Sequence, residues 1–214
     1  MPNAHQLPFV SNTHGGEKQL FQKVLDALEA SAYHSDLDLP APDVQACGVY
    51  ALYYRGNRRD YHLWATHFKD QPIFVGHGTD VLELLREHYD HFDQVINLTP
   101  EEFLYRAVAL ESASPFANTE NGLARALVEH YQPLWNDVIQ GFVPNAHFSS
   151  NAGNLPLSAA RKQQATPEHR QSSTLLYDIL DCARAMQKRL GRFDVPEGPF
   201  RDLEELAASG QRPD

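Results

Sequence analysis

Gly48-Val49-Tyr50-Ala51-Leu52-Tyr53-Tyr54 and, after a polar connection, Pro72-Ile73-Phe74-Val75-Gly76 are the two runs that decide the fold. The first is aromatic and β-branched and stops at a turn signal, Arg55-Gly56-Asn57-Arg58. The second is a short apolar run closed by Gly76 and Gly78. Both read as strands joined by a loop. Thr79-Asp80 then caps a helix whose apolar positions are Val81, Leu82, Leu84 and Leu85, with Asp80 and Glu83 at the separation of a capping pair. The unit is strand, loop, strand, Gly-rich turn, helix.

Outward from this unit, residues 1–15 are polar, with Pro2, Pro8 and Gly15-Gly16, and read as an arm or disordered leader. Leu20, Phe21, Val24, Leu25 and Leu28 recur at helical spacing between Glu17 and Ala32. Downstream, Phe103 to Leu110 reads as a third, largely buried strand. A helix starting at Thr119 or Asn121 runs to Tyr131 and stops before Pro133. Residues 143–171 form a polar loop rich in Asn, Ser and Pro. Ser172 or Ser173 then opens a helix through Leu176, Ile179, Ala183 and Met186 to Lys188-Arg189-Leu190-Gly191, with cations in its last turn and glycine just beyond. A short helical pattern near Leu203–Leu206 ends in a fraying tail. The divisions expected are an arm and helix at 1–43, a core domain at 44–142, the loop at 143–171 and a helical extension at 172–214.

The 214 residues suffice for one domain with elaborations. Acidic residues number 28 against 18 basic ones, a formal charge of −10, which opposes a general nucleic-acid footprint but leaves room for a local basic patch. Cys47 and Cys182 fit no metal spacing and read as reduced, buried thiols. His62 with His67, and His88 with His91, give no compelling zinc ligand set. No apolar run approaches a membrane span, and the first residues lack the pattern of a secretory signal, so a cytoplasmic protein is expected.

The stretch resembles the GIY-YIG nucleases, with Gly48-Val49-Tyr50 standing for GIY and Phe74-Val75-Gly76 for YIG. The long connection, Arg86-Glu87-His88, and Tyr131-Gln132-Pro133-Leu134-Trp135-Asn136 followed by Gly141-Phe142 are similar to the branch of type II restriction endonucleases that cut CCGCGG. The resemblance covers roughly residues 44–142. It implies an α/β (α+β) fold: a small, mainly antiparallel sheet flanked by helices, with the N-terminal helix and the C-terminal helical extension added. It also implies hydrolysis of a DNA phosphodiester, which needs a positioned water, a cation facing the phosphate and a carboxylate-held metal.

Position by position, the family's roles divide. The GIY tyrosine is Tyr50, the helix histidine is His88 and the asparagine is Asn136. The YIG tyrosine is replaced by Phe74, the helix arginine by Leu84, the metal-binding glutamate by Ala124, and the lysine that often follows YIG by His77. Leucine cannot donate to a phosphate, and alanine cannot ligate a hard cation. Glu120 and Arg86 are the residues through which catalysis, with Mg²⁺, would have to be restored. Without the resemblance, Tyr50 and Trp135 read as core, His88 as a solvated helix residue and Asn136 as a turn or cap.

Three readings stand. The first is a relative of restriction endonucleases that has lost catalysis, needs no cofactor, and recognises DNA or serves as a partner protein in a restriction or anti-phage system. The second is an active Mg²⁺-dependent enzyme with relocated groups. The third is a protein–protein interaction module that does not touch DNA. A DNA binder would gather Arg55, Arg58, Arg59, Asn145, His147, Arg161, Lys162 and Arg170 on one face. An interaction module would expose an apolar patch. A homodimer is compatible with each reading, and no membrane partner is expected.

Overall fold

The computed structural model describes residues 7–11, 16–39, 46–92, 98–111, 119–137 and 172–209. The loop expected at 143–171 lies outside them. Four strands, β1 (Phe9–Val10), β2 (Gly48–Tyr54), β3 (Phe74–Gly78) and β4 (Phe103–Leu110), form one mixed sheet in the order β1-β4-β2-β3. β2 is antiparallel to both neighbours, with Tyr50 opposite Gly76 of β3 and opposite Ala107 of β4. β1 adds in parallel at the end of β4, Phe9 opposite Ala109. Helices α1 (Glu17–Ala30), α2 (His62–Thr66), α3 (Val81–Phe92), α4 (Thr119–Tyr131), α5 (Leu134–Asp137), α6 (Ser172–Leu190) and α7 (Glu197–Ser209) complete an α+β architecture.

The residues of β2 explain the layering. Side chains alternate across a strand, and here both faces are covered, so the run reads as continuously apolar. Tyr50, Leu52 and Tyr54 enter one core, with Phe74 of β3, Leu85, Tyr89 and Phe92 of α3, and Leu134 and Trp135 of α5. Val49, Ala51 and Tyr53 enter the other, with Leu20, Val24, Leu25 and Leu28 of α1 and Leu123, Leu127 and Tyr131 of α4. In the first core Phe92 stacks on Phe103 at 3.9 Å between centroids, and Trp135 lies 5.3 Å from Phe103.

The C-terminal helices belong to that first core. Leu176, Ile179, Ala183 and Met186 of α6 and Phe200, Leu203 and Leu206 of α7 are buried in the cluster that holds Tyr50 and Trp135. Arg189 fastens the join: its guanidinium donates to the carbonyls of His130 and Tyr131, the latter at 2.8 Å, at the end of α4. Arg192 donates to the carbonyl of His67, just past α2. The last carbonyls of a helix have no partner within it, so these cations cap neighbouring helices as well as standing near the end of their own.

Several expectations are corrected. The polar leader contains β1, because the exposed end of β4 offers Phe9 and Val10 a ladder. The connection after β2 is not plain loop: it carries a 3₁₀ turn (Arg59–Tyr61) and α2, which bury Tyr61, Leu63 and Trp64. Asp80 accepts from the Glu83 amide at 3.2 Å as a cap should, but the Glu83 carboxylate turns to Arg86 at 3.0 Å rather than back to the cap. The short pattern near Leu203 is a full helix, α7. Cys47 and Cys182 are each partly exposed rather than buried.

Candidate functional site

Three elements build the site around Tyr50. β2 aims the phenol at α3, α3 returns His88, and β3 supplies the floor. The Tyr50 hydroxyl and His88 Nε2 are 2.8 Å apart. Tyr50 is 2 % exposed and His88 is 1 % exposed, so the pair is sealed from water. Phe74 packs on both rings, 5.0 Å from His88 and 6.0 Å from Tyr50 between centroids. Gly76 lies beneath: a methyl group there would sit 2.4 Å from Tyr50 Cζ, so only glycine leaves the ring its place.

Electrostatics hold the phenol neutral. Burial pushes the Tyr50 pKa far above its ordinary value, and the Glu87 charge pushes in the same direction. The Glu87 Oε2 atom is itself buried without a hydrogen-bond partner in the structure. The arrangement is therefore a protonated phenol hydrogen-bonded to an imidazole, the opposite of a tyrosine poised to take a proton from water.

Asn136 is placed by its neighbour strand. Its Oδ1 accepts from the Val75 amide at 2.8 Å, and its Nδ2 donates to the Val75 carbonyl at 2.9 Å. With the Trp135 amide donating to the Ile73 carbonyl at 2.9 Å, α5 completes the outer edge of β3. The side chain imitates a paired peptide unit, and its orientation follows from the fixed polarity of the backbone groups it meets.

The substituted positions fall in two places. Phe74 packs beside Tyr50, and Leu84 is near β3, where its Cδ1 would lie 2.5 Å from a methyl group on Gly78. Ala124 is buried on α4, whose Leu123 and Leu127 pack in the core on the other side of the sheet. Its methyl group offers no oxygen to the divalent metal that the resemblance implies, so this position does not fit that group. Among the described residues no cluster of three or more His, Cys, Asp or Glu side chains could hold a metal ion. The backbone of Glu120 is in the first turn of α4; its side chain lies outside the described residues.

The basic residues expected to face DNA are dispersed in role. Arg58 pairs with Asp60 at 2.7 Å and lies over Tyr61. Arg55 donates to the carbonyls of Tyr54 and Lys69 and lies over Tyr33. Arg59 is exposed. Asn145, His147, Arg161, Lys162 and Arg170 lie outside the described residues. Arg86 pairs with Glu83. Sequence reasoning missed Glu87 as a neighbour of Tyr50, and it missed Arg106, whose charge in the middle of an otherwise apolar strand was the available signal.

No protein-family model matches this chain, and no curated protein matches it. No helix among the described residues is long and apolar enough to cross a membrane.

Proposed function

We propose that this chain is a relative of the GIY-YIG restriction endonucleases in which the Tyr50 centre no longer cuts DNA, and that it acts as a DNA-recognition or partner protein in a restriction or anti-phage system. The observation that carries the reading is the sealed Tyr50–His88 pair packed against Phe74. A tyrosine can activate or orient water only where water reaches it and where its proton can leave, and burial opposes both. Leu84, at the position of the phosphate-facing cation, agrees with that loss; Ala124 lies on α4 across the sheet from Tyr50 and does not bear on it. The same scaffold, freed from catalysis, would keep its value as a rigid binding surface in the cytoplasm.

A second reading, an active Mg²⁺-dependent type II endonuclease with relocated groups, is favoured by one observation: the charge of Glu87, a half-buried residue with one buried carboxylate oxygen, acts on Tyr50. Plasmid DNA with and without CCGCGG sites, incubated with the purified protein and Mg²⁺ or Mn²⁺, separates the two when a mobility shift is run on the same samples. Intact plasmid with a salt-sensitive shift supports a recognition protein. Intact plasmid without a shift directs the search to a protein partner. Discrete fragments would establish the second reading.

A further inference from the structure

On the face of the sheet opposite the Tyr50–His88 pair, two arginines share one aromatic platform. The Arg106 guanidinium lies 3.9 Å from the centre of the Tyr33 ring, and that of Arg55 lies 4.8 Å from the same centre. Both also lie over Tyr53, at 5.5 and 6.0 Å. Tyr33 and Tyr53 meet edge to face at 4.9 Å. The charges are left unbalanced locally. Neither guanidinium has a carboxylate within ion-pair distance among the described residues. Two acids stand at the edge of the cluster without pairing with either arginine: Glu29 accepts from the Tyr131 hydroxyl at 3.2 Å, and Asp70 from the hydroxyl of Tyr33 itself at 3.3 Å.

The cluster is rich in donors and short of acceptors. Arg106 Nε is buried without a hydrogen-bond partner, and the Tyr53 hydroxyl has the Arg106 guanidinium as its polar neighbour. Arg55 donates from one terminal nitrogen to the Tyr54 and Lys69 carbonyls, which carry no balancing charge. A partly buried cation without a counter-charge is costly, and here there are two in a chain of formal charge −10. Guanidinium forks match the geometry of phosphate oxygens, and aromatic stacking holds them in position to do so.

We infer that the Tyr33–Tyr53–Arg55–Arg106 cluster is a phosphate-group site, taking either free phosphate or a phosphodiester of a nucleic-acid backbone. The phosphate supplies the counter-charge that neither guanidinium finds in an ion pair among the described residues. It is separate from the Tyr50 centre and does not depend on the family reading.

The test uses the full chain labelled with nitrogen-15. Inorganic phosphate is titrated while the side-chain Nε–H resonance of Arg106 is followed, and a fluorescent duplex oligonucleotide is titrated by anisotropy with and without phosphate as competitor. The expected result is a saturable shift of the Arg106 resonance, with phosphate affinity falling roughly tenfold in Arg106→Lys, which keeps the charge but loses the fork. Duplex binding that phosphate displaces would identify a nucleic-acid backbone as the source. Phosphate binding without duplex binding would identify a small phosphate compound. An Arg106 resonance that responds to neither probe would overturn the inference, as would Arg106→Lys binding with unchanged affinity. If that variant fails to fold by circular dichroism, Arg55→Lys takes its place, and the resonance of the unaltered chain still decides.

Discussion

Asn136 shows how a residue that the family resemblance marks as functional can be held by a structural duty. Its amide bonds both polar groups of Val75, and few other side chains present an acceptor and a donor at that separation. Asn136→Ala leaves a backbone amide and carbonyl without these partners, and should lower stability by about 1–3 kcal/mol in urea unfolding. Asn136→Asp keeps the acceptor and sets a charge against the Val75 carbonyl, so it should be no less damaging. Equal unfolding midpoints for the three proteins would show that the edge of β3 needs no such partner. The Tyr50–His88 contact differs in kind: it is a pair of side chains whose geometry resembles a working site and whose burial resembles a core. The sequence could name both residues, since the aromatic run and Arg86-Glu87-His88 are plain in it. It could not show that the pair is sealed, because the rings that pack on it, Phe74 from β3 and Phe92 from the end of α3, meet it only in three dimensions.

At the scale of elements, strands and helices were largely legible and their duties less so. β2 announced itself by unbroken apolar character, α1 and α6 by helical spacing, and α4 by its stop before Pro133. β1 was missed because a two-residue strand has no periodicity of its own; only the neighbouring end of β4 makes it one. The cations that close α6 look in sequence like complements to its own dipole. In the structure Arg189 spans to the carbonyl end of α4 and to the Gln71 side chain at 3.0 Å. Arg189→Met keeps most of the apolar stem and removes the donors, so the cost isolates the hydrogen bonds. It should destabilise the chain by about 1–3 kcal/mol and raise hydrogen exchange preferentially in α6 and at the end of α4. A uniform change in exchange, or none, would show that apolar packing alone docks the helix.

The whole molecule is a sheet with aromatic residues on both faces, and this sets its response to alkali. Tyr50, Tyr53, Tyr54, Tyr61, Tyr89 and Tyr131 all have phenols that burial pushes above their ordinary value of 10.0, and burial pushes Tyr105 up to about 12. A raised value in the folded state means that the unfolded chain loses these protons first. The contribution is complete below pH 10.0 and is lost as pH rises through the folded values. Each such phenol can steepen the fall by up to about 1.4 kcal/mol per pH unit, so stability should drop sharply above pH 10.0. Tyrosinate absorbance should appear together with the loss of circular dichroism. Smooth ionisation of these tyrosines with the fold intact would show that the rings are reached by water. Composition pointed to acidity alone; that tyrosine burial governs alkaline stability follows from the two covered faces of β2, which no count of residues reveals.

The sealed phenol is the centre of the account, and it is tested most directly by comparing the protein with Tyr50→Phe on plasmid DNA carrying CCGCGG sites, in Mg²⁺ and in Mn²⁺. The predicted result is intact plasmid from both proteins, with the variant folded and any DNA affinity unchanged. Discrete fragments from the unaltered protein that disappear in Tyr50→Phe would contradict it, and would mean that Tyr50 meets water and phosphate in a state other than the one described.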